Sequence, residues 1–401
     1  MSRSSADTQT APVRLASIDA YRGFVMFLMM AEVLHLGRMA ANFPESGFWR
    51  FLAHHQSHIE WVGCTLHDLI QPSFSFLVGT ALAFSVANRQ SRGQPFGPML
   101  GHAVWRAIAL SALGIFLRSV GRDQTNFTFE DTLTQIGLGY VPLFLLGFRP
   151  RREQWMAAVV LLVGTWLAFA LYPLPAPAFD YASVGVNADW LKDHGLSGFA
   201  AHWQKNSNLA WATDVWFLNL FPRAKAFVFN GGGYATLSFV PTLATMVLGL
   251  LAGGILRSDA APSKRLKQLV ILGVSGLVLG WLAGVVGICP VVKRIWTPAW
   301  VLFSGGWCFL LMAAFYAAVD LAGGRSIAFP LVVIGMNSIA AYCIAHLWDG
   351  FIVSAFKTHL GPDIFNLLGA SYAPLVQGIL VLAAFWLILF WMHRHRIFLR
   401  L

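Results

Sequence analysis

Apolar runs recur along the whole chain, near 15–36, 63–87, 101–120, 133–147, 154–173, 235–256, 269–288, 299–320, 328–348 and 373–392. Hydrocarbon offers the backbone no hydrogen-bond partner, so such a chain can only satisfy itself as helices or as a closed barrel. The runs are long and mostly unalternated, unlike the roughly ten-residue alternating strands of a membrane barrel. The spacing therefore predicts an all-α, polytopic integral membrane protein of about ten transmembrane helices. Composition agrees: 57% of the residues are hydrophobic and 11% are charged, against roughly 25% charged in soluble domains. A polar tail over 1–14 precedes the first run, which carries no clean small-residue cleavage site, so an uncleaved helix is expected rather than a signal peptide. Residues 15–401 read as one transmembrane domain with a large outer loop at 174–234.

The net charge of +10 invites a nucleic-acid partner, but the bases fall in alternate short connections. Arg89 and Arg92, then Arg149, Arg151 and Arg152, then Arg257, Lys264, Arg265 and Lys267, then Arg325, and finally Arg394, Arg396 and Arg400 share one side. That bias is what topology requires, and it predicts both termini in the cytoplasm. The lipid bilayer is the partner implied, with no nucleic acid. Four scattered cysteines show neither metal spacing nor a disulfide framework, so no metal is expected.

Against this background the polar residues stand out, because ionisable groups within a membrane are costly. The densest set lies at 54–76, where His58, Trp61, His67, Asp68 and Gln71 lead from a loop into an apolar helix. A neutral imidazole suits His58 to take a proton or to be acylated, although neighbouring histidines leave composition unable to single it out. Asp68 either orients a histidine or ties two helices together. Glu32 and His35, one turn apart near the outer end of the first helix, are placed to converge on the same pocket. Arg22, beside Asp19, and Arg106 lie where cations would meet phosphates from the cytoplasm, with interfacial anchoring as the plainer reading for Arg22. The outer loop carries Trp190, Trp203, Trp211 and Trp216, which suit an interfacial belt or a carbohydrate platform. Asn337 and Ser338 suit interhelical hydrogen bonding, and His346 either lines the pocket or reaches water.

Several motifs together resemble the transmembrane N-acetyltransferase family typified by heparan-alpha-glucosaminide N-acetyltransferase, and especially its bacterial members. RLASIDAYRGFVMFLMMAE at 14–32 looks like that family's opening, with Asp19, Arg22, Gly23 and Glu32. HIEWVGCTLHDLIQPSFSFLVG at 58–79 is similar to HxxWNGxxxxDLIFPxFxFxxG, with Val62 in place of Asn and Gln71 in place of an apolar residue. NLAWATD at 208–214, PVVKRIWTPAWVL at 290–302 and GMNSIAAY at 335–342 resemble three further runs. LTQ at 133–135 stands where LQR is usual, and GGGYATLS at 231–238 lacks an acidic residue.

The resemblance implies a bacterial inner-membrane enzyme that moves an acetyl group from cytoplasmic acetyl-CoA to an amino sugar or related glycan outside, with a homodimer compatible. It places the active-site histidine on His58, with Asp68 or Glu32 orienting the imidazole. Acetyl-CoA is then expected at Arg22, Arg106, Asp19, Asn337 and Ser338. The acceptor is expected at Trp61, Asn208, Asp214, Lys293, Trp296 and His346, with Asn337 or Lys293 stabilising the thioester oxyanion. The competing class is a proton-coupled secondary transporter, in which Glu32, Asp68 and the histidines form a relay.

Overall fold

The computed structural model describes residues 15–399, so the tail expected over 1–14 lies outside the described residues. Among them there is no strand, and each of the ten apolar runs is helical. Seven helices are long and apolar enough to cross a membrane: His67–Ser91, Phe96–Ser119, Arg151–Leu171, Thr236–Arg257, Pro262–Val285, Pro298–Leu321 and Ala370–Arg394. Two more spans are broken. Ala16–Leu34 continues into Leu36–Asn42 after a 41° bend, and Arg325–Met336 into Ser338–Leu347 after one of 69°. Among the described residues the count is thus seven, or nine with each bent pair as one span, rather than ten. Thr132–Leu146 falls short at 15 residues, below the roughly twenty that hydrocarbon demands.

Each departure has a local cause. Thr132–Leu146 starts inside the protein, because its N-cap Asp131 is buried and accepts from Leu133 N (3.0 Å), Arg118 Nε (2.9 Å) and the Tyr342 hydroxyl (3.1 Å). The first break falls at His35, whose left-handed backbone (φ 48°) ends one helix and begins the next. The second falls at Asn337, whose amide donates to Ile397 O (2.9 Å) and accepts from Leu399 N (3.2 Å). That side chain fastens the C-terminal segment across the broken helix.

The centre of the bundle is the Phe239–Arg257 helix, the most enclosed of the spans. It lies directly on the Ile70–Ser91 helix. A Cβ at Gly79 would stand 1.8 Å from Met246 O, and one at Gly249 would stand 1.8 Å from Phe76 O. Lipid tails are as apolar as leucine, so helices associate here by close packing, and small residues let the backbones touch. The same device joins Ala16–Met30 to Arg325–Met336, where a Cβ at Gly23 would meet Leu331 O at 1.7 Å.

The 174–234 stretch is a folded cap rather than an open loop, built from the short helices Ala188–His194 and Leu209–Phe217 and several 3-10 turns. Its core holds Trp61, Phe169, Trp203, Val292 and Ile295. Of the four tryptophans expected to form a belt or a sugar platform, Trp203 is fully buried in that core, whereas Trp216 is exposed. The Pro290–Thr297 turn is clamped to the His58 loop by an antiparallel bridge between Val62 and Val292, by Gly63 N to Val291 O (3.0 Å), and by Arg294 Nη2 to Ile59 O (3.1 Å).

Gly249→Val should lower stability by about 1–3 kcal/mol or more, as overpacking against backbone does. Gly254→Ala, where an added Cβ meets nothing within 4 Å, should not. Thermal unfolding in detergent measures both, and an unchanged midpoint for Gly249→Val would dismiss the backbone contact.

Candidate active site

Asp68 sits in the 3-10 turn His67–Leu69 that opens the second span, and its side chain is wholly buried. A carboxylate there must be hydrogen-bonded on every side to remain ionised. Oδ2 accepts from Thr65 N (3.0 Å) and Ile59 N (3.2 Å). Oδ1 lies 2.8 Å from His58 Nδ1 and accepts from Lys293 Nζ at 3.1 Å. The sequence produces this locally by folding 57–68 back on itself, so that Thr65 and Ile59 present their amides to a residue three and nine positions on. The Pro290–Thr297 turn then delivers Lys293 from the far half of the chain.

Three segments therefore meet on one oxygen, forming an imidazole–carboxylate–ammonium cluster. Lys293 Nζ also lies 3.0 Å from His58 Nδ1. In the tautomer whose Nδ1–H donates to the ionised Asp68, Nε2 keeps its lone pair, as a base or nucleophile requires. His58 is 40% exposed at its side chain, so the ring opens outward while its partner stays dry. Burial lowers the His58 pKa from its ordinary value, and the positive Lys293 lowers it further; the hydrogen bond and charge of Asp68 oppose both. Burial likewise depresses Lys293, against the pull of Asp68.

Glu32 does not reach His58. Its Oε1 lies 2.8 Å from Nε2 of His67, a buried imidazole whose ring centroid is 4.7 Å from that of His58. Asp68 is thus the carboxylate on His58, and Glu32 is the one on His67. The sequence placed His67 in the polar set at 54–76 and among the histidines of the alternative proton relay, but did not pair it with Glu32.

At the other end of the bundle a cavity of about 380 Å³ is lined by Asp19, Arg22, Arg89, Arg106 and Ser338. Arg106 Nε is buried with no hydrogen-bond partner among the described residues, and its guanidinium lies over the Tyr140 ring at 4.8 Å. Arg22 Nη1 is 3.4 Å from Asp19 Oδ1. The wall also includes Phe398 and Leu399, held in place by Asn337. Asn337 itself is not part of the lining, and its side-chain amide is engaged by Ile397 O and Leu399 N. Arg89, absent from the sequence-based set, is a third guanidinium at this mouth.

Four residues expected at the acceptor are placed as internal supports. Trp61 is 1% exposed and donates to Trp203 O (3.2 Å). Trp296 is buried and donates to Thr245 Oγ1 (3.0 Å). Asn208 caps the Leu209–Phe217 helix by accepting from Trp211 N (3.1 Å). Asp214 accepts from Thr236 N (3.0 Å), and burial pushes its pKa up to about 6. His346 is exposed and stacks on Tyr342 with ring centroids 4.3 Å apart. Lys293 joins the His58 cluster. No group of metal-ligating side chains occurs among the described residues.

Fold and site together define a polytopic helical membrane protein with a buried ionic cluster at one end and a cationic cavity at the other. The chain is similar to human heparan-alpha-glucosaminide N-acetyltransferase, at 25% identity over 385 residues that cover 86% of this chain and 55% of that protein. It is similar to the mouse protein of the same name at 24% identity over 368 residues, covering 82% and 53%. The chain therefore spans about half the length of the curated relatives it matches. No family model matches it.

Reaction of His58 with diethyl pyrocarbonate, followed by peptide mass spectrometry, should rise through a midpoint below the ordinary histidine value of 6.5. Lys293→Met removes a neighbouring positive charge while Asp68 stays, so the midpoint should move to higher pH. A shift to lower pH would contradict the charge balance drawn here.

Proposed function

We propose that this chain is a membrane-embedded acetyltransferase, which takes an acetyl group from acetyl-CoA at the arginine-lined mouth and transfers it to the amino group of an amino sugar or related glycan at the His58 end. The positive-inside bias supports a cytoplasmic donor side and an extracytoplasmic acceptor side. One observation carries the reading. The cavity follows a single stripe of the second span, through Arg89, Ser85, Leu82, Val78 and Phe74. From Arg89 to Phe74 it runs fifteen residue steps, about 22 Å of helix, and Phe74 is six steps, about 9 Å, from Asp68. Such a passage suits a slender pantetheine arm reaching inward while charged phosphates stay outside with Arg22, Arg89 and Arg106.

The chemistry follows from the two ends. Acetyl-CoA is a substrate whose anionic part the three guanidiniums would hold, Arg106 through its unpartnered Nε. His58, kept neutral by burial and oriented by Asp68, takes the proton that the amine releases as its nitrogen attacks the thioester carbon. It returns that proton to the departing thiolate, giving amide and free CoA thiol. An acetyl-imidazole route, in which Nε2 attacks first, uses the same residues. Asp68 favours the imidazolium in either case, and Lys293 balances the carboxylate when His58 is neutral.

In proteoliposomes of defined orientation, acetyl-CoA on the arginine side should acetylate an impermeant amino sugar on the other side, with stoichiometric release of thiol. His58→Ala should reduce turnover by about a hundredfold or more. Arg106→Gln should raise the KM for acetyl-CoA by about tenfold with a smaller effect on kcat, as loss of a charged hydrogen bond does. Solute uptake without thiol release would establish the transporter reading in its place. Transfer only with both substrates on one face would overturn the passage.

A further inference from the structure

Beside His58 stands a second carboxylate–imidazole pair that the chemistry above leaves unused. His67 Nε2 lies 2.8 Å from Glu32 Oε1, the same separation as His58 Nδ1 from Asp68 Oδ1. The two rings are 4.7 Å apart between centroids. The pairs differ in access: the Asp68 side chain is 0% exposed and that of Glu32 is 58% exposed. Tying the first span to the second would explain a hydrogen bond at this point, but not an ionisable pair placed against the reacting imidazole.

An amino group supplies the missing demand. Near neutral pH an alkyl amine is an ammonium ion with no lone pair, so it cannot attack until a proton leaves. The overall change is R–NH3+ plus acetyl-CoA giving R–NH–acetyl, CoA thiol and one proton. Two protons leave nitrogen: one ends on sulfur, and one must reach water. A single imidazole cannot hold both at once.

Resting on the acetyltransferase reading, we propose that His67 and Glu32 form a second acid–base pair of the same site, which takes the ammonium proton and hands it to water at the open mouth. With Nε2–H donating to Glu32, His67 Nδ1 holds the lone pair that accepts this proton, and the exposed carboxylate passes it on. The amine, now neutral, attacks the thioester and gives its second proton to His58. The charged and titratable groups within electrostatic reach of the pair are His58, with Asp68 and Lys293 behind it, His346, and the buried Tyr342, whose hydroxyl is held by Asp131.

The test compares two acceptors with the purified full-length chain: an amino sugar, protonated at assay pH, and a weakly basic arylamine that is already neutral. His67→Gln should reduce turnover with the amino sugar by about a hundredfold, and this loss should exceed that with the arylamine by about tenfold or more. Glu32→Gln should show the same ordering with a smaller loss. Raising the pH should restore part of the amino-sugar rate in both variants, because the acceptor then loses its proton unaided. Equal losses with the two acceptors would overturn the proposal and leave His67 as a structural tie. If His67→Gln elutes as aggregate, Glu32→Gln decides alone, since its side chain is exposed. A wild-type chain that acetylates neither acceptor would instead remove the acetyltransferase reading, which the same experiment detects first.

Discussion

The Asp68 carboxylate is the interaction on which the His58 end of this protein depends. A buried anion is tolerated only when donors surround it, and here they come from Thr65 and Ile59 in the preceding loop, from His58 and from Lys293. Meeting that demand fixes the loop, aims the imidazole and pins the Pro290–Thr297 turn to the start of the second span. Removing one member of such a buried ion pair costs about 3–5 kcal/mol, chiefly because the other charge is stranded. The cap follows from the same constraint. Trp61 and Val292, which flank the cluster on its two strands of chain, are core residues of the cap.

The opposite end is organised by close approach of backbones. Gly79 against Met246 and Gly249 against Phe76 on one pair of helices, and Gly23 against Leu331 on another, let the backbones touch without side chains between them. Where the second span turns its larger residues away from these contacts, a passage opens that is lined by Phe74, Val78 and Leu82 and ends among arginines. The asymmetry between a buried ionic cluster and an open cationic mouth, set along one helix, would suit the proposed transfer across a bilayer. Each substrate would remain on the side where its charge is solvated, and only a thin linker would enter the bundle.

The broken helices belong to this arrangement as well. Asn337 interrupts the Arg325–Met336 and Ser338–Leu347 pair and holds Ile397 and Leu399 against the cavity wall. Beyond that break, Tyr342 reaches Asp131, which starts the short Thr132–Leu146 helix below the surface. Irregular backbone at such depth is tolerated only where protein groups satisfy it, and these side chains do so.

The sequence by itself determined the class of fold. Runs of apolar residues too long for strands force helices wherever water is absent, and the polar residues left among them had to gather at the ends. It also marked Asp68, Arg22 and Arg106 as costly polar groups, with helix packing and interfacial anchoring as plainer readings for Asp68 and Arg22, while only the family resemblance separated His58 from its neighbouring histidines. Pairing was not readable. That Glu32 meets His67 and not His58, that Lys293 crosses 225 positions to Asp68, and that Trp61, Trp296, Asn208 and Asp214 turn inward as supports all depend on how distant segments pack. A hydrophobic pattern specifies which face of a helix is buried but not against what. Only the tertiary structure, through backbone contacts at glycines and the hydrogen bonds that buried charges demand, decided which polar groups became partners.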